Sequence, residues 1–181
     1  NVEPFAEMLS KSPPPVDREQ SDAYSFATEK TGRQFDRLLL KEMVHHIEDS
    51  CLQSTFDGLF DKSSPGARVL VITRLSTGVE YPFFKAAFVE WEKHQLEHSV
   101  YEEALQKAGF KLVETKVKPY PCTIAKADWI RMVKQRFWST FSHFSEEELA
   151  AGVAELQETY EGVDELKFKE QLVFIIAGRI G

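Results

Sequence analysis

The sequence predicts an α/β fold. Three observations lead there: short apolar runs at Phe35 to Leu40, Arg68 to Thr73 and Gln171 to Ala177; helical apolar spacing in the stretches between them; and turn residues, Pro65-Gly66 and Gly109, at the changeovers. Runs that are apolar at nearly every position suit strands covered on both faces. Strands of that kind alternating with helices build a sheet joined by right-handed crossovers.

Taken in order, Lys11 to Gln20 carries Pro13, Pro14 and Pro15, which remove backbone donors and exclude a helix there. Phe35 to Leu40 (FDRLLL) follows Gly32 and reads as a central strand. Leu52, Phe56, Leu59 and Phe60 line one side of a helix over Asp49 to Asp61, which Pro65 and Gly66 are expected to end. Arg68 to Thr73 (RVLVIT) is a second buried strand, completing a strand-helix-strand unit. From Tyr81 to Ala108 the spacing predicts a helix, with Gly109 as its left-handed cap. Lys111 to Tyr120 alternates as a strand does. Asp128 to Phe137 and Ser145 to Tyr160 are predicted helices, the second opening with Ser145 and Glu148 in a capping-box arrangement. Gln171 to Ala177 (QLVFIIA), the most apolar run, is expected to lie deep in the sheet. No repeat or low-complexity tract interrupts this order, so residues 1–181 are expected to form a single domain.

The 181 residues suffice for one core. At 43% hydrophobic and 28% charged, the chain is too apolar for disorder and too interrupted for a membrane protein, which predicts a soluble globular protein. A net charge of −7 spread over the whole length argues against nucleic acid as a partner, since binding a phosphate backbone depends on a basic face. Cys51 and Cys122 are too few and too far apart for a disulfide framework or a zinc cluster, and a reduced, cytoplasmic setting is expected. Asn1 to Leu9 contains neither a signal-peptide pattern nor a membrane span.

Several segments, in order, resemble class I S-adenosylmethionine-dependent methyltransferases of the type 11/12-like kind. Val2-Glu3-Pro4-Phe5-Ala6-Glu7-Met8-Leu9 is similar to the segment after that family's second strand. Ser21-Asp22-Ala23 with Phe26 is similar to its next element. Gln34 to Ile47, including Lys41-Glu42-Met43-Val44-His45-His46, resembles the fourth strand and its tip. Pro65 to Thr73 resembles the fifth strand, and Glu103 to Phe110, ending in Ala-Gly-Phe, the helix and turn before the sixth. The resemblance implies a Rossmann-like sheet made of the later strands, with an antiparallel last strand and without the first strand-helix-strand unit. The glycine-rich turn that cradles the cofactor would lie before Asn1, so the chain is expected to be an N-terminal truncation of such a domain. An apolar strand edge would then stay open, to be covered by a second copy or a partner chain.

What the resemblance implies about chemistry is methyl transfer to a small-molecule acceptor, with S-adenosylmethionine as cofactor. Glu3 would accept from the ribose hydroxyls, since a carboxylate offers two acceptor oxygens to two adjacent donors. Met8 would pack near the adenine, Asp22 and Ala23 would take the base, and Lys41 and Glu42 at the strand tip would line the same site. His45 and His46 are candidate bases for an acceptor that must lose a proton; equally they could pack against the sheet or cap the next helix. Two segments, about 79–98 and 128–150, would act as lids. Arg74, Trp129, Arg136 and Trp138 there are candidate acceptor contacts, with the core and surface charge as the competing readings for the tryptophans and arginines.

Two alternatives come from other classes. The first is a methyltransferase-like interaction module without activity. The second is a zinc hydrolase, because His94-Gln95-Leu96-Glu97-His98 spells H-x-x-E-H, a ligand pattern when carried on one helix. The plainer reading of that stretch is a solvated helix face, and no metal is expected.

Overall fold

The computed structural model of the chain describes residues 1–180. In chain order the elements are α1 (Ala6–Ser10), α2 (Ala23–Thr28), β1 (Phe35–Lys41), α3 (Asp49–Asp61), β2 (Ser63–Arg74), α4 (Lys85–His94), α5 (His98–Lys107), β3 (Lys111–Ala125), α6 (Lys126–Lys134), α7 (Ser139–Ser142), α8 (Glu146–Thr159) and β4 (Glu165–Gly178). They form two compact units. One holds the chain up to Thr73, Ser99 to Lys116 and the residues from Phe174; the other holds Arg74 to His98 and Val117 to Val173. No helix among the described residues is long and apolar enough to cross a membrane.

The first unit is organised on a mixed four-stranded sheet of order β1-β2-β4-β3, whose last two strands run on into the second unit. β1 and β2 are parallel and in register from Arg37 against Arg68 to Lys41 against Ile72. A parallel pair needs a crossover, and α3 supplies it, burying Leu52, Phe56 and Leu59. Gly58 lets α3 approach α2 closely, because a Cβ there would run into the Ala27 carbonyl oxygen.

The apolar runs mark the strands correctly, but their edges differ from expectation. β2 starts at Ser63 and passes through Pro65 and Gly66 instead of beginning after them. Between Phe35 opposite Ser63 and Arg37 opposite Arg68 the register jumps, so part of β2 bulges out of its pairing with β1. The bulge is held from elsewhere: Gly66 N–H donates to the Arg179 carbonyl at 3.1 Å, and Arg179 N–H donates to the Ala67 carbonyl at 2.9 Å. β1, whose residues read as a central strand, lies at the edge of the sheet with Leu39 63% exposed, the open apolar edge that the resemblance implied. β4 sits inside the sheet, with Ile175 and Ala177 fully buried.

The predicted helix from Tyr81 to Ala108 is two helices. Tyr81 to Phe84 is not helical, Gln95 to Glu97 breaks the chain's course, and α5 restarts at His98. Pro82 disfavours helical geometry at Tyr81, and the aromatic run that follows packs as core before α4 begins. α5 ends as expected at Gly109, where φ is +108°. There Phe110 N–H donates to the Leu105 carbonyl and Gly109 N–H to the Gln106 carbonyl, each at 3.0 Å, the two bonds of a Schellman motif.

The second unit is built around an aromatic core of Tyr81, Phe83, Phe84, Trp91, Trp129 and Phe141, closed by Leu149, Val153 and Leu156 of α8. Gly152 is the gap in α8 that admits the Phe84 ring, since a Cβ there would lie 2.7 Å from it. The capping box predicted for α8 is present: Glu148 N–H donates to Ser145 Oγ at 3.2 Å, and Ser145 N–H donates to Glu148 Oε2 at 2.8 Å.

Gly109 gives the sharpest stability test. A Cβ would stand 2.9 Å from the Phe60 ring, on a backbone that L-residues avoid. Gly109→Ala is expected to destabilise the chain by about 1–3 kcal/mol, seen as an earlier urea midpoint. Wild-type stability in that variant would show that the cap can rearrange.

Candidate functional site

The first unit carries a cleft of about 550 Å³ along β1. Its floor is formed by Phe35 and Arg37 to Lys41, its far wall by Asn1 to Pro4, and Ala23 and Phe26 close one side. The N-terminal wall is held by main-chain bonds: Glu3 N–H donates to the Glu19 carbonyl at 3.2 Å, and Glu19 N–H donates to the Asn1 carbonyl at 2.9 Å. Arg33 pairs with Glu19 at 2.6 Å, which keeps that carboxyl below its ordinary value. Open α/β sheets take ligands beyond the carboxyl ends of their strands, and β1 delivers Lys41, Glu42 and Met43 to that end.

Glu42 stands out there. Its φ is +50°, a left-handed conformation that few residues other than glycine and asparagine adopt, and its N–H donates to the Ile72 carbonyl at 2.7 Å. The bond fixes the chain's exit from β1 against the end of β2. Immediately beyond, Val44 to His46 form a single 3-10 turn with Val44 buried. The His45 and His46 rings lie 4.0 Å apart, tilted by 49°. Desolvation lowers the His46 pKa, favouring the neutral imidazole that can accept a proton.

Among the predicted cofactor residues, Glu3, Ala23 and Lys41 line this cleft. Glu3 Oε1 accepts from Phe5 N–H at 3.3 Å. Met8 lies on α1, 53% exposed, with its sulfur 3.8 Å from Lys11 Nζ. Asp22 caps α2: its carboxylate accepts from Ser25 N–H at 2.8 Å and Ser25 Oγ at 2.7 Å. The backbone bond from Ser25, then the hydroxyl bond, hold Asp22 below the usual carboxylate pKa.

The predicted acceptor contacts lie in the second unit. Arg74 pairs with Glu170 at 3.0 Å and stacks its guanidinium 4.9 Å over Trp138. Trp138 is 5.9 Å from Trp129, centroid to centroid. Trp129 is 2% exposed, and its indole N–H donates to the Pro82 carbonyl at 2.7 Å, the satisfied arrangement of a core residue. Arg136, with φ +53°, donates to the carbonyls of Phe141 and Phe144 and pairs with Glu146 at 2.8 Å. Its fork therefore fastens a loop. Arg74, Trp129 and Trp138 come together; Arg136 is turned to the α7–α8 connection.

The H-x-x-E-H stretch does not lie on one helix. His94 is the last residue of α4, His98 the first of α5, and Glu97 accepts from the Ser76 hydroxyl. Neither a one-helix zinc motif nor a continuous solvated helix face describes it. Sequence reasoning passed over Tyr81, Phe83 and Phe84 as the centre of the aromatic core; the run Tyr-Pro-Phe-Phe was the available signal.

No protein-family model matches the chain, and no curated protein matches it by sequence. Solved structures do match. A SAM-dependent methyltransferase from Archaeoglobus fulgidus is 15% identical, with a TM-score of 0.57 over 98% of this chain and 74% of that one. The N-methyltransferase NodS from Bradyrhizobium japonicum is 10% identical, with a TM-score of 0.54 over 99% and 72%. The [4+2]-cyclase SpnF is 15% identical, with a TM-score of 0.50 over 92% and 57%. The chain has a class I methyltransferase-like fold. At these identities the likeness is one of fold, and function is argued from the site.

The imidazole at His46 offers a direct check. By NMR its ring should titrate below about 6.5, the ordinary histidine value. Because the folded pKa is the lower one, the unfolded chain binds the extra proton. Stability should therefore fall as pH drops from about 6.5 to the folded value, and stay level below it. His46→Asn should remove that component. A midpoint at or above the ordinary value would contradict the assigned desolvation.

Proposed function

We propose that the chain carries the later strands of an S-adenosylmethionine-dependent methyltransferase acting on a small-molecule acceptor. The observation that carries this reading is the left-handed Glu42 at the carboxyl end of β1, beside a cleft lined by Glu3, Ala23 and Lys41. Strained backbone of this kind concentrates where a chain must turn sharply around a ligand. The likeness in fold to a protein described as a SAM-dependent methyltransferase supports the same reading.

When bound, the cofactor supplies a methyl group on a sulfonium. The chain's own part is to hold and align, because in-line displacement depends mainly on proximity and orientation. Glu3 is assigned to the ribose hydroxyls, Asp22 and Ala23 to the adenine, Met8 to its apolar face, and Lys41 with Glu42 to the strand tip. Asp22 keeps acceptor capacity beside its capping bonds, since two carboxylate oxygens offer about four lone-pair sites. His46 or His45 is assigned the acceptor's proton, where the acceptor must lose one. Arg74 and Trp138, with the segments about 79–98 and 128–150, are assigned to acceptor recognition, and Trp129 and Arg136 to holding those segments in place. For the open edge of β1 we assign a covering strand from a second copy or a partner chain.

A non-catalytic interaction module is the second reading. It draws on Asp22 and Arg136, whose polar atoms already serve a helix cap and a loop. Calorimetric titration with S-adenosylmethionine and S-adenosylhomocysteine separates the two, run on the 181-residue chain and on any longer natural chain that carries it. The enzyme reading expects saturable binding, weakened roughly 10-fold or more by Glu3→Ala, as befits a charged hydrogen-bond acceptor. No binding by either chain would favour the module.

A further inference from the structure

The second unit places three metal-ligand side chains around one point. Glu90 and His94 are one turn apart on α4, and His143 directly follows α7. Glu90 Oε1 is 2.9 Å from His94 Nε2 and 3.8 Å from His143 Nδ1, and the three ligand atoms lie within 4.8 Å of one another. We propose that Glu90, His94 and His143 form a divalent transition-metal site, with zinc as the ion.

The donor set supports this. Two imidazole nitrogens and one carboxylate oxygen are the three protein ligands of a common open zinc site, whose remaining position goes to water. With zinc bonds of about 2.0–2.1 Å, neighbouring ligand atoms of a tetrahedral site stand roughly 3.3 Å apart. The two separations from Glu90 Oε1 bracket that value. His94 is within hydrogen-bond distance of Glu90, whereas His143 stands at 3.8 Å, within ion-pair reach but too long for a hydrogen bond. An ion shared by the three groups would engage both histidines at once.

The imidazoles themselves agree. Their rings are stacked, 4.4 Å apart and 10° from parallel. The stack brings both rings to the same Glu90 carboxylate, with a nitrogen of each on its Oε1 side. On the carboxylate, Lys93 Nζ holds Oε2 at 2.9 Å. That contact orients the group and leaves Oε1 toward the histidines, the support that outer partners give a ligating carboxylate. The Lys93 hydrogen bond, followed by that of His94, also keeps the Glu90 carboxyl below its ordinary value and thus ionised. Glu90 is mostly buried, whereas the histidine side chains are 50% and 45% exposed, which leaves an entry path and room for a water ligand.

An ion here would tie the C-terminal end of α4 to the end of α7. Those elements carry Trp91 and Phe141 of the aromatic core, so the site would act as a clip on the second unit. It is independent of the H-x-x-E-H stretch, from which it takes only His94.

The test uses the 181-residue chain freed of metal with a chelator, then titrated with Zn²⁺ by calorimetry and with Co²⁺ by visible absorption. Expected are one zinc per chain, a zinc-dependent rise in the thermal midpoint, and cobalt bands of a four-coordinate site. His143→Asn, at an exposed position where folding should survive, is expected to weaken zinc binding at least about tenfold and to abolish the midpoint rise. Glu90→Gln should do the same, while a His45→Asn, His46→Asn double variant keeps the site. Absence of zinc binding in the wild type would overturn the proposal. So would zinc binding that His94→Asn and His143→Asn leave unchanged, which would place the ion elsewhere.

Discussion

The parallel pairing of β1 with β2 is the constraint on which the first unit depends. Two strands running the same way cannot be joined by a hairpin, so the chain must leave the sheet and return. It does so through α3, which pays for the detour by burying Leu52, Phe56 and Leu59, each worth about 1.5–3 kcal/mol. The return imposes the bulge at the start of β2, where register with β1 is lost and Pro65 offers no donor. Arg179 repairs that region from the far end of the chain. Besides its backbone bonds, its guanidinium donates to the carbonyls of Phe60 at 2.8 Å and Ser63 at 2.6 Å and lies 4.4 Å over the Phe60 ring. Unsatisfied carbonyls at a helix end would cost more than an exposed cation contact returns, so the hydrogen bonds are the larger part of what Arg179 contributes.

The second unit solves a different problem. Its core is aromatic, and rings of this size pack edge to face instead of interdigitating as aliphatic chains do. Tyr81 meets Trp138 at 4.7 Å and Trp91 at 5.4 Å in that geometry, and Phe83 meets Phe141 at 5.5 Å. Each buried indole must also dispose of its N–H. Trp129 uses the Pro82 carbonyl and Trp91 the Leu75 carbonyl, so the loop from Arg74 to Phe84 is held by the core it covers. Within Tyr81 to Phe84 the Pro82 carbonyl is taken by the Trp129 indole, and α4 begins only after it, at Lys85.

Much of this fold could be read from the residues. Phe35 to Leu40, Arg68 to Thr73 and Gln171 to Ala177 are strands because continuous apolar runs bounded by turn residues leave little else. The Asp49 to Asp61 helix, the Gly109 cap and the Ser145 capping box are local signals and act locally. What could not be read depends on neighbours distant in sequence. Leu38, Leu39 and Leu40 look the same whether the strand is central or at an edge. Nothing in Pro65-Gly66 says that Arg179 will draw it into β2. His143 carries no periodic signal connecting it with Glu90, which the α4–α7 packing brings near. The cleft was legible in part: Glu3, Ala23 and Lys41 line it, while the left-handed φ of Glu42 is a backbone property that its sequence context does not encode.

Side-chain economy decides how far the site can be pressed. Asp22 and Arg136 were singled out because a carboxylate and a guanidinium are good ligand groups, yet those qualities also make them good at ending helices and fastening loops. Both are drawn into such work here, Asp22 by Ser25 and Arg136 by the carbonyls of Phe141 and Phe144. Glu42 differs. It stands in the left-handed region where a glycine would be unstrained, while its N–H holds the end of β1 to the Ile72 carbonyl. The same fold supports a methyltransferase and a [4+2]-cyclase, so topology does not select the reaction. Selection falls instead to the side chains at the strand end, where Glu3 and Lys41 line the cleft and the His45 and His46 rings follow Glu42.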